Sequence, residues 1–528
     1  MVRVRFAPSP TGPLHIGGVR TALYNYLFAR KHGGKMLLRI EDTDQNRYVE
    51  GAENYILEAL KWVGVEIDEG QGVGGPHAPY RQSERKAIYR QYAERLVAEG
   101  KAYYAFDSSE EIEAMRKRLE EAHADAAQYN AITRLQMNNS LTLSADEVKN
   151  RVENDGEYVI RIKIDPKQEI RFNDLVRGWV VVHGSTLDDK VLLKSDGMPT
   201  YHLANIVDDH LMEITHVIRG EEWLPSAPLH VILYQAFGWT SPQFAHLPLL
   251  LKPEGNGKLS KRDADLGGFP IFPLEWTDPN TKITARGFRE DGYLKEALIN
   301  FLALLGWNSG TEQELFTIDE LIEAFSLERI HKAGARFDIN KAKWFNQQYL
   351  KHKSSEELVS LLVNSPQSIV DSQESTVDSP QSPIPSPQRA AFRSPVPNHE
   401  RLLQIATLMK ERVTFPQEIL TEADFIFNAP TAYEQAVVEN KWNDDAKKAI
   451  AAYVEDLNNS SENFNTENAK IILGQSTERV GIKMGKIMPA LRVAITGQGH
   501  GPDLMLTMEI LGKDETVSRL KKAIEVLK

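Results

Sequence analysis

The sequence Phe6-Ala-Pro-Ser-Pro-Thr-Gly-Pro-Leu-His-Ile-Gly-Gly18 decides the fold, because it joins a strand pattern to a helix pattern. Residues 2–6 alternate apolar and basic side chains, which is typical of a strand. After the stretch, apolar residues recur at helical spacing until Gly33-Gly34, where a helix would end. Residues 35–40 have the pattern of a second buried strand. The stretch is therefore predicted to be the first turn of a β-α-β unit.

This turn has features that suit a phosphate. In β-α-β units, ligands bind beyond the carboxyl ends of the strands. A helix N-terminus there offers free backbone N–H groups and a partial positive charge. Glycine lets the backbone approach a ligand, because no Cβ stands in the way. A glycine turn occurs in many folds, however, and His15 alone is equally consistent with a capping or packing role.

Length and composition exclude several classes of protein. The chain has 528 residues and is too long for one ordinary core, which favours three or four domains. With 41% hydrophobic and 26% charged residues, it has the composition of a soluble globular protein. The absence of cysteine excludes disulfides and thiolate–metal sites. A net charge of -12 argues against bulk attraction to nucleic acid, although a local basic surface can still bind it.

No stretch has the long uncharged apolar run that a membrane helix requires, and the N-terminus has a strand pattern rather than that of a signal peptide. We therefore expect a cytoplasmic protein with no membrane partner.

The periodicity divides the chain into an α/β part and a helical part. Strand and helix patterns alternate to about residue 105, and a polar, helical stretch follows at Ser108–Asn150. Further strands are predicted at 158–164, 176–182, 191–194 and 214–218, and a helix at 225–237. This order favours a parallel α/β sheet around an insertion. Residues 365–397 carry Ser-Pro-Gln three times and few core-forming residues, which indicates disorder or an extended linker.

A second glycine-led stretch, Gly255-Asn-Gly-Lys-Leu-Ser-Lys-Arg262, carries two lysines three positions apart. Alone, such a pair is more often part of a solvated surface. A loop with two ammonium groups is nevertheless what a departing polyphosphate requires. Negative charge builds on the leaving oxygens as the bond breaks, and positioned cations lower that barrier.

Together, His15-Ile-Gly-Gly18 and Lys258-Leu-Ser-Lys-Arg262 resemble the paired signature motifs of the class I aminoacyl-tRNA synthetases. Other stretches resemble the glutamyl-tRNA synthetase family within that class, and the resemblance covers most of the chain in order. These stretches are Arg5-Phe-Ala-Pro-Ser-Pro-Thr-Gly12, Arg39-Ile-Glu-Asp-Thr-Asp44, Ile218-Arg-Gly-Glu-Glu-Trp223 and, more weakly, Ala335-Arg-Phe-Asp338, Trp344-Phe-Asn346 and Gly481–Leu511.

The resemblance implies a reaction and an architecture. L-Glutamate would attack ATP to give glutamyl-adenylate and pyrophosphate, and the glutamyl group would then move to the 3′ end of tRNA(Glu), releasing AMP. The implied fold is α/β, a Rossmann-type parallel-sheet catalytic domain with an inserted acceptor-binding domain, followed by all-α anticodon-binding domains. The family expectation for the oligomeric state is a monomer.

Six segments are expected along the chain. They are 1–105 for the first half of the catalytic domain, 106–190 for the inserted acceptor-binding domain, 191–310 for the second half with the lysine-bearing loop, 311–364 for a helical stem-contact region, 365–397 for a disordered insertion, and 398–528 for the helical anticodon-binding domain.

The resemblance also assigns residues to ATP. His15, Gly17 and Gly18 would hold its phosphates, and Lys261, with Lys258 nearby, would steady the triphosphate as pyrophosphate leaves. The predicted catalytic residues are thus His15, Lys258 and Lys261. Mg²⁺ is expected to arrive with ATP, held mainly by the phosphates, and no protein ligand to it is predicted.

The amino-acid pocket can also be argued from chemistry. Glutamate carries two carboxylates and one ammonium, so a selective site needs two guanidinium groups, which pair with carboxylates in bidentate fashion, and one acid. Arg5, Glu41 and Arg219 are predicted to supply this set from the ends of strands on the crevice side of the sheet. Tyr201, Asn205 and Ser9 match further substrate contacts of the family.

Many bacterial relatives hold zinc in the insertion, with cysteines just after a Tyr-Tyr pair. In Lys101-Ala-Tyr-Tyr-Ala-Phe-Asp107, those positions are taken by Ala105 and Asp107. A structural zinc site is closed by four protein ligands, mostly sulfur or imidazole, so we expect the insertion to fold without zinc. Its stability would come instead from a helical stripe formed by Ile112, Met115 and Leu119.

Several alternatives stay open on sequence alone. A glutaminyl-tRNA synthetase would need a pocket that rejects a charge, and its first motif differs from Pro8-Ser-Pro-Thr11. The shorter relative that glutamylates a tRNA base lacks an anticodon-binding region, whereas a long helical region follows here. A non-catalytic tRNA-binding paralogue would be favoured by loss of the histidine or lysines, which are present. Charging of tRNA(Gln) in addition to tRNA(Glu) is compatible with the sequence.

Overall fold

The computed structural model of the chain describes residues 1–124, 127–364 and 398–527. The insertion predicted at 365–397 lies outside the described residues. The chain forms two compact units. One consists of Met1–Arg289 and Lys295–Ala342, and the other of Glu290–Leu294 and Lys343–Lys528. The boundaries of the six expected segments stay predictions.

The first unit contains both strands and helices. Its strands are β1 (Arg3–Phe6), β2 (Lys35–Leu38), β3 (Glu69–Gly70), β4 (Ala102–Ala105), β5 (Val159–Ile162), β6 (Glu169–Asp174), β7 (Gly178–His183), β8 (Val191–Leu193), β9 (His216–Gly220), β10 (Gln243–Leu247), β11 (Leu250–Leu251), β12 (Trp276–Thr277), β13 (Thr284–Ala285) and β14 (Ala335–Arg336). Its helices are α1 (Ile16–Lys31), α2 (Ala52–Trp62), α3 (Lys86–Ala98), α4 (Ser109–Glu121), α5 (Ala145–Asn150), α6 (Tyr201–Leu211), α7 (Ala227–Phe237), α8 (Lys261–Gly267), α9 (Lys295–Leu304) and α10 (Ile318–Ala324).

Two runs of parallel strands lie side by side in this unit. β1 pairs with β2, and β2 with β3. β10 pairs in parallel with β9 and β6, and β7 is antiparallel at the edge. The runs meet where the backbone N–H of Thr215, just before β9, donates to the carbonyl oxygen of Arg3 (2.9 Å). β1 and β9 are therefore neighbours. The chain leaves β1 through α1 and reaches β2 on one side, whereas it leaves β9 through α7 and reaches β10 on the other side. Such a topological switch point opens a crevice at the carboxyl ends of the strands.

The predicted first β-α-β unit is confirmed. β1 is buried along its whole length, and its register with β2 runs from Arg3 opposite Lys35 to Phe6 opposite Leu38. A Cβ on Gly34, where the chain re-enters the sheet, would lie 2.4 Å from the carbonyl oxygen of Val2. Glycine is therefore required at that turn, because a side chain would collide with the neighbouring backbone.

The insertion is helical, as predicted, but it also uses a small antiparallel sheet of order β4-β5-β8. The predicted apolar stripe on α4 is confirmed, since Met115 is buried and its two companions pack partly buried in the same cluster. That cluster also contains Tyr103 and Tyr129. The helix predicted from residue 225 begins at Ala227, after a 3₁₀ turn over Glu221–Ser226.

Of the strands longer than two residues, β4, β6 and β10 were not predicted, and neither were the two-residue strands β3, β11, β12, β13 and β14. The clearest case is β6, whose sequence Glu-Ile-Arg-Phe-Asn-Asp buries a carboxylate, Asp174, on the same face as two apolar residues. A strand with an acid on its buried face does not show the regular apolar alternation that identifies strands. Asp174 is buried because backbone N–H groups and His246 satisfy its carboxylate.

All the elements in the described part of the second unit are helices, as predicted for the C-terminal region. They are α11 (Ile339–His352, which begins in the first unit), α12 (Ser355–Asn364), α13 (His399–Met409), α14 (Glu418–Thr421), α15 (Asp424–Phe427), α16 (Gln435–Lys441), α17 (Asp444–Asn459), α18 (Thr466–Arg479), α19 (Met484–Thr496), α20 (Leu504–Leu511) and α21 (Lys513–Val526). Six of these, α16 to α21, share one apolar core that includes Tyr453, Leu491 and Met508.

Candidate active site

A cleft opens at the carboxyl ends of β1, β2 and β9. It is lined by all but one of the predicted site residues, namely Arg5, Ser9, His15, Gly17, Gly18, Glu41, Tyr201, Asn205, Arg219 and Lys258. The exception is Lys261, which is exposed as the first residue of α8 and is not part of this lining. Sequence positions at strand ends therefore converge in space, as the parallel sheet requires.

The turn into α1 is fixed by its own histidine. His15 is the N-cap residue, and its Nδ1 accepts a hydrogen bond from the backbone N–H of Gly17 (3.0 Å). A Cβ on Gly17 would lie 2.7 Å from the histidine ring, and a Cβ on Gly18 would lie 2.4 Å from the Leu14 side chain. Glycine at both positions keeps the turn compact where it borders the cleft.

His15 is a neutral hydrogen-bond donor in this position. Because Nδ1 accepts from Gly17, the neutral ring carries its proton on Nε2. Desolvation by the surrounding protein and the positive charge of Lys258 lower the pKa of His15. The neutral form therefore dominates at pH 7, and the ring can donate to an anion while the helix N-terminus supplies positive potential.

Arg5 is held by a carboxylate that the sequence analysis did not identify. Its Nε and Nη2 donate to the two oxygens of Asp209 at 3.0 and 3.3 Å. Asp209 also accepts from Nη1 of Arg39 (2.8 Å), and Nη2 of Arg39 donates to Oε1 of Glu41 (2.9 Å). Nδ2 of Asn205 donates to the same Glu41 oxygen (3.1 Å). These buried residues form one continuous network on the floor of the cleft.

The two acids of this network differ in environment. Burial opposes the ionisation of Asp209, but Arg5 and Arg39 outweigh burial and lower the pKa of Asp209. For Glu41, burial is the larger effect and raises the pKa of its carboxyl despite the nearby arginines. Both hydrogen bonds to Glu41 use Oε1, which leaves Oε2 for a ligand that carries a positive charge.

Arg219 is held by neutral groups. Its Nε donates to Nε2 of His246 (3.0 Å), and its Nη1 donates to the Tyr201 hydroxyl (2.8 Å) and lies 3.3 Å from Nδ1 of His230. Nδ1 of His246 contacts Oδ2 of Asp174 at 2.6 Å. Among the described residues, no carboxylate forms an ion pair with Arg219. Its charge is therefore not neutralised in the protein alone, in contrast to that of Arg5.

The second motif forms a loop beside the cleft, which we call the lysine loop (residues 252–262). Nζ of Lys258 contacts Oε1 of Glu222 at 3.0 Å, and both groups are about half exposed. Ser260 caps α8 in a reciprocal arrangement with Asp263, which places Lys261 on the first turn of that helix. The two lysines are thus carried by a capped, defined segment.

Arg336 braces the lysine loop from outside. Its Nη1 lies within hydrogen-bonding distance of three loop carbonyl oxygens, those of Lys252 (3.1 Å), Pro253 (3.0 Å) and Gly255 (3.0 Å). This position follows from the parallel pairing of β11 with β14, in which Leu251 lies opposite Arg336.

Sequence reasoning missed Asp209, Arg39, Asp174, His246 and Arg336. A signal existed for Asp209, because it lies four residues after Asn205 and eight after Tyr201 and so shares their helix face. Arg336 lies in Ala335-Arg-Phe-Asp338, a stretch that resembles the family, but no role was predicted for it. No local signal existed for Asp174 or His246, which reach the site through strand pairings far apart in sequence.

The described residues were compared with the requirements of a membrane-spanning helix and of a metal site. None of their helices combines the length and apolar character that crossing a membrane requires. Nor do three or more of their histidine or acidic side chains gather in an arrangement that could hold a metal ion.

Comparison with known proteins gives consistent matches over the whole chain. Residues 1–344 match the family model described as the catalytic domain of class I tRNA synthetases (E and Q), and residues 385–524 match an anticodon-binding domain. The glutamate–tRNA ligase of Cytophaga hutchinsonii is 62% identical over 528 residues, which is 100% of this chain and 98% of that protein. The corresponding ligase of Amoebophilus asiaticus is 56% identical with the same coverage.

A solved structure shares the fold. The crystal structure of a glutamate tRNA ligase from Elizabethkingia meningosepticum, in complex with its amino acid, superposes with a TM-score of 0.88 at 48% identity and covers 100% of both chains.

Proposed function

The chain belongs to the glutamate–tRNA ligases among the class I aminoacyl-tRNA synthetases, and from this premise we propose that its cleft joins L-glutamate to the 3′ end of tRNA(Glu) at the expense of ATP. The observation that carries the proposal is the meeting of two kinds of site in one cleft. A glycine turn at a helix N-terminus lies beside a pocket with two arginines and one acid. The first suits a triphosphate, and the second suits glutamate.

On the nucleotide side, His15, Gly17 and Gly18 receive the phosphates. The neutral His15 ring donates from Nε2, and the glycines leave room for phosphate oxygens close to the backbone. Lys258 and Lys261 act later, when charge builds on the departing pyrophosphate. Lys258 already lies at the cleft, paired with Glu222, and a triphosphate would compete with that carboxylate for its ammonium group. Mg²⁺ would enter on the ATP phosphates and neutralise part of their charge.

On the amino-acid side, Arg5 and Arg219 receive the two carboxylates, and Glu41 receives the ammonium. Asn205 holds Glu41 through Oε1 and so supports the acid that meets the substrate. Tyr201 is fixed by its hydrogen bond from Arg219. Ser9 lines the same pocket and completes the set by resemblance to the family.

The chemistry that follows consists of two substitutions. A carboxylate oxygen of glutamate attacks the α-phosphorus of ATP, the bond to the bridging oxygen breaks, and pyrophosphate leaves. A ribose hydroxyl at the tRNA 3′ end then attacks the glutamyl carbonyl carbon, and AMP leaves. The protein supplies positioning and electrostatic stabilisation rather than a covalent intermediate of its own.

The other parts of the chain also have proposed roles. The six segments have the roles given above, with the acceptor end of the tRNA bound by the insertion and the anticodon by the helical second unit, in line with the match of residues 385–524. The insertion works without zinc. The protein acts as a monomer in the cytoplasm, which is the state and place that the family resemblance implies.

One experiment separates this function from the glutaminyl alternative. ATP–pyrophosphate exchange is measured with glutamate or glutamine, each with and without tRNA(Glu). We expect exchange with glutamate in the presence of tRNA and little with glutamine. Equal or greater exchange with glutamine would favour the glutaminyl enzyme, and no exchange under any condition would favour a non-catalytic tRNA-binding protein.

A further inference from the structure

The two arginines assigned to glutamate differ in how the protein holds them. Arg5 has its charge balanced by Asp209, which accepts from two of its nitrogens. Arg219 is 5% exposed and is surrounded by neutral acceptors, chiefly Nε2 of His246 and the Tyr201 hydroxyl. A buried guanidinium without a carboxylate is costly unless a partner arrives. Arg219 is therefore the group in this pocket that depends most on an anionic ligand.

We propose that Asp174 and His246 are positioning residues that aim the uncompensated charge of Arg219 at a carboxylate of the bound glutamate. The proposal rests on the proposed function of the cleft. Neither residue lines the cleft itself, so both would act through Arg219 rather than by touching substrate.

A chain of hydrogen bonds that begins in the backbone leads to Arg219. Oδ1 of Asp174 accepts from the backbone N–H groups of Val176 (3.0 Å) and Arg177 (2.8 Å) in the turn between β6 and β7. Oδ2 then meets Nδ1 of His246 at 2.6 Å, and Nε2 of His246 accepts from Nε of Arg219 at 3.0 Å. All three side chains are buried. The guanidinium is thus tied to the backbone of this turn through two intermediate side chains.

The two hydrogen-bond partners of His246 fix its tautomer. Arg219 can only donate, so Nε2 of His246 must be unprotonated and Nδ1 must carry the proton that Asp174 accepts. Burial and the nearby charge of Arg219 lower the pKa of His246. Burial opposes the ionisation of Asp174, but His246 and the backbone N–H groups of Arg177 and Val176 together outweigh burial and lower the pKa of Asp174. A neutral imidazole beside an ionised carboxylate is the state that this geometry needs. It adds no negative charge next to Arg219 that could compete with a substrate carboxylate.

Because Asp174 sets the tautomer of His246, replacing Asp174 should disturb Arg219. In Asp174→Asn, the amide oxygen is retained by the two backbone N–H groups, so the amide NH₂ faces Nδ1 of His246. The ring then moves its proton to Nε2, where it meets the N–H of Arg219 and repels it. An isosteric change outside the cleft should therefore disturb Arg219, by the same tautomer logic that applies to an Asp–His pair in a hydrolase triad.

The test uses glutamate-dependent ATP–pyrophosphate exchange with saturating tRNA(Glu). Four variants are compared with the unmodified protein: Asp174→Asn, His246→Leu, His246→Gln and, as a matched control, His210→Gln. His210 is an exposed histidine of α6 that stacks on Trp239. Each variant is first checked for an unchanged circular dichroism spectrum and melting temperature.

We expect Asp174→Asn and His246→Leu to raise KM for glutamate by roughly 10- to 100-fold, the scale of one hydrogen bond to a charged group. KM for ATP should change less than about twofold, because the nucleotide contacts are elsewhere. His246→Gln keeps an acceptor oxygen near the position of Nε2 and should recover most of the glutamate affinity, and His210→Gln should behave as the unmodified protein.

Two results would overturn the proposal while leaving the function intact. One is an unchanged KM for glutamate in both His246→Leu and Asp174→Asn. The other is an equal rise in both KM values, which indicates general damage rather than positioning. Failure of the unmodified protein to exchange with glutamate would instead refute the proposed function, and this inference with it.

Discussion

Single residues in the cleft act through their partners. Arg5 shares Asp209 with Arg39, so the protein keeps two guanidinium groups and one carboxylate in contact before glutamate arrives. The arrangement fixes the direction of Arg5. A charge held in this way is preorganised, and its interaction with a ligand requires little reordering.

The first prediction follows from that arrangement. Arg5→Ala should raise KM for glutamate by about 10- to 100-fold, because a charge-assisted hydrogen bond to a carboxylate is lost, while KM for ATP stays nearly unchanged. Exchange kinetics with varied glutamate and varied ATP provide the measurement. Arg95→Ala is the matched control, since Arg95 forms an exposed pair with Glu99 outside the cleft. Unaltered glutamate affinity in Arg5→Ala would remove Arg5 from the pocket.

Elements of secondary structure decide which side chains meet. The ends of β1, β2 and β9 could be predicted from local patterns, so Arg5, Glu41 and Arg219 were correctly expected on one side of the sheet. Asp209 could have been predicted from the helical spacing of α6. The contact between His246 and Asp174 could not, because it depends on the pairing of β6 with β10, and the buried acid of β6 hides its strand pattern.

The lysine loop gives the second prediction. Lys261→Ala should slow adenylate formation by about 10²- to 10³-fold, or about 2–4 kcal/mol of barrier, the scale of one preorganised charge at a developing anion. Glutamate binding should hardly change, because Lys261 lies outside the pocket lining. Rapid-quench measurement of single-turnover adenylate formation gives the rate directly. Lys117→Ala, on the exposed face of α4, is the control, and a near-normal rate for Lys261→Ala would show that the loop has another role.

The contact of Arg336 with three carbonyl oxygens of that loop gives the third prediction. Arg336→Ala should free the loop segment at Lys252, Pro253 and Gly255 and lower the exchange rate roughly 5- to 30-fold, since an exposed charged hydrogen bond contributes about 1–2 kcal/mol. KM for glutamate should stay the same. Hydrogen exchange of loop amides should speed up in the variant. Unchanged protection of the loop amides together with an unchanged ATP–pyrophosphate exchange rate would show that Arg336 does not stabilise the loop.

At the scale of the whole molecule, packing and hydrogen bonds hold the insertion together. Asp107, at a position where the family resemblance implies a zinc-binding cysteine in many bacterial relatives, accepts from the Tyr129 hydroxyl (2.8 Å) and the backbone N–H of Asn138 (2.7 Å). Buried Asp189 accepts from the Tyr103 hydroxyl (2.8 Å) and from Arg134 (3.0 Å). These contacts join parts of the insertion that are distant in sequence, as the ligands of a structural metal site would.

The fourth prediction is that this insertion folds without metal. Elemental analysis of purified, untagged protein should give well under one zinc per chain, and a chelator should leave the melting temperature unchanged, because the cross-links are hydrogen bonds rather than coordination bonds. A stoichiometric zinc that survives dialysis, or a clear fall in melting temperature with chelator, would contradict it.

The central claim is that one cleft binds glutamate between Arg5 and Arg219. A crystal structure of the protein with bound L-glutamate tests it most directly. We predict one carboxylate within hydrogen-bonding distance, about 3 Å, of Arg5, the other at the same distance from Arg219, and the ammonium group at Glu41. Glutamate bound beyond hydrogen-bonding distance of both arginines would contradict the account.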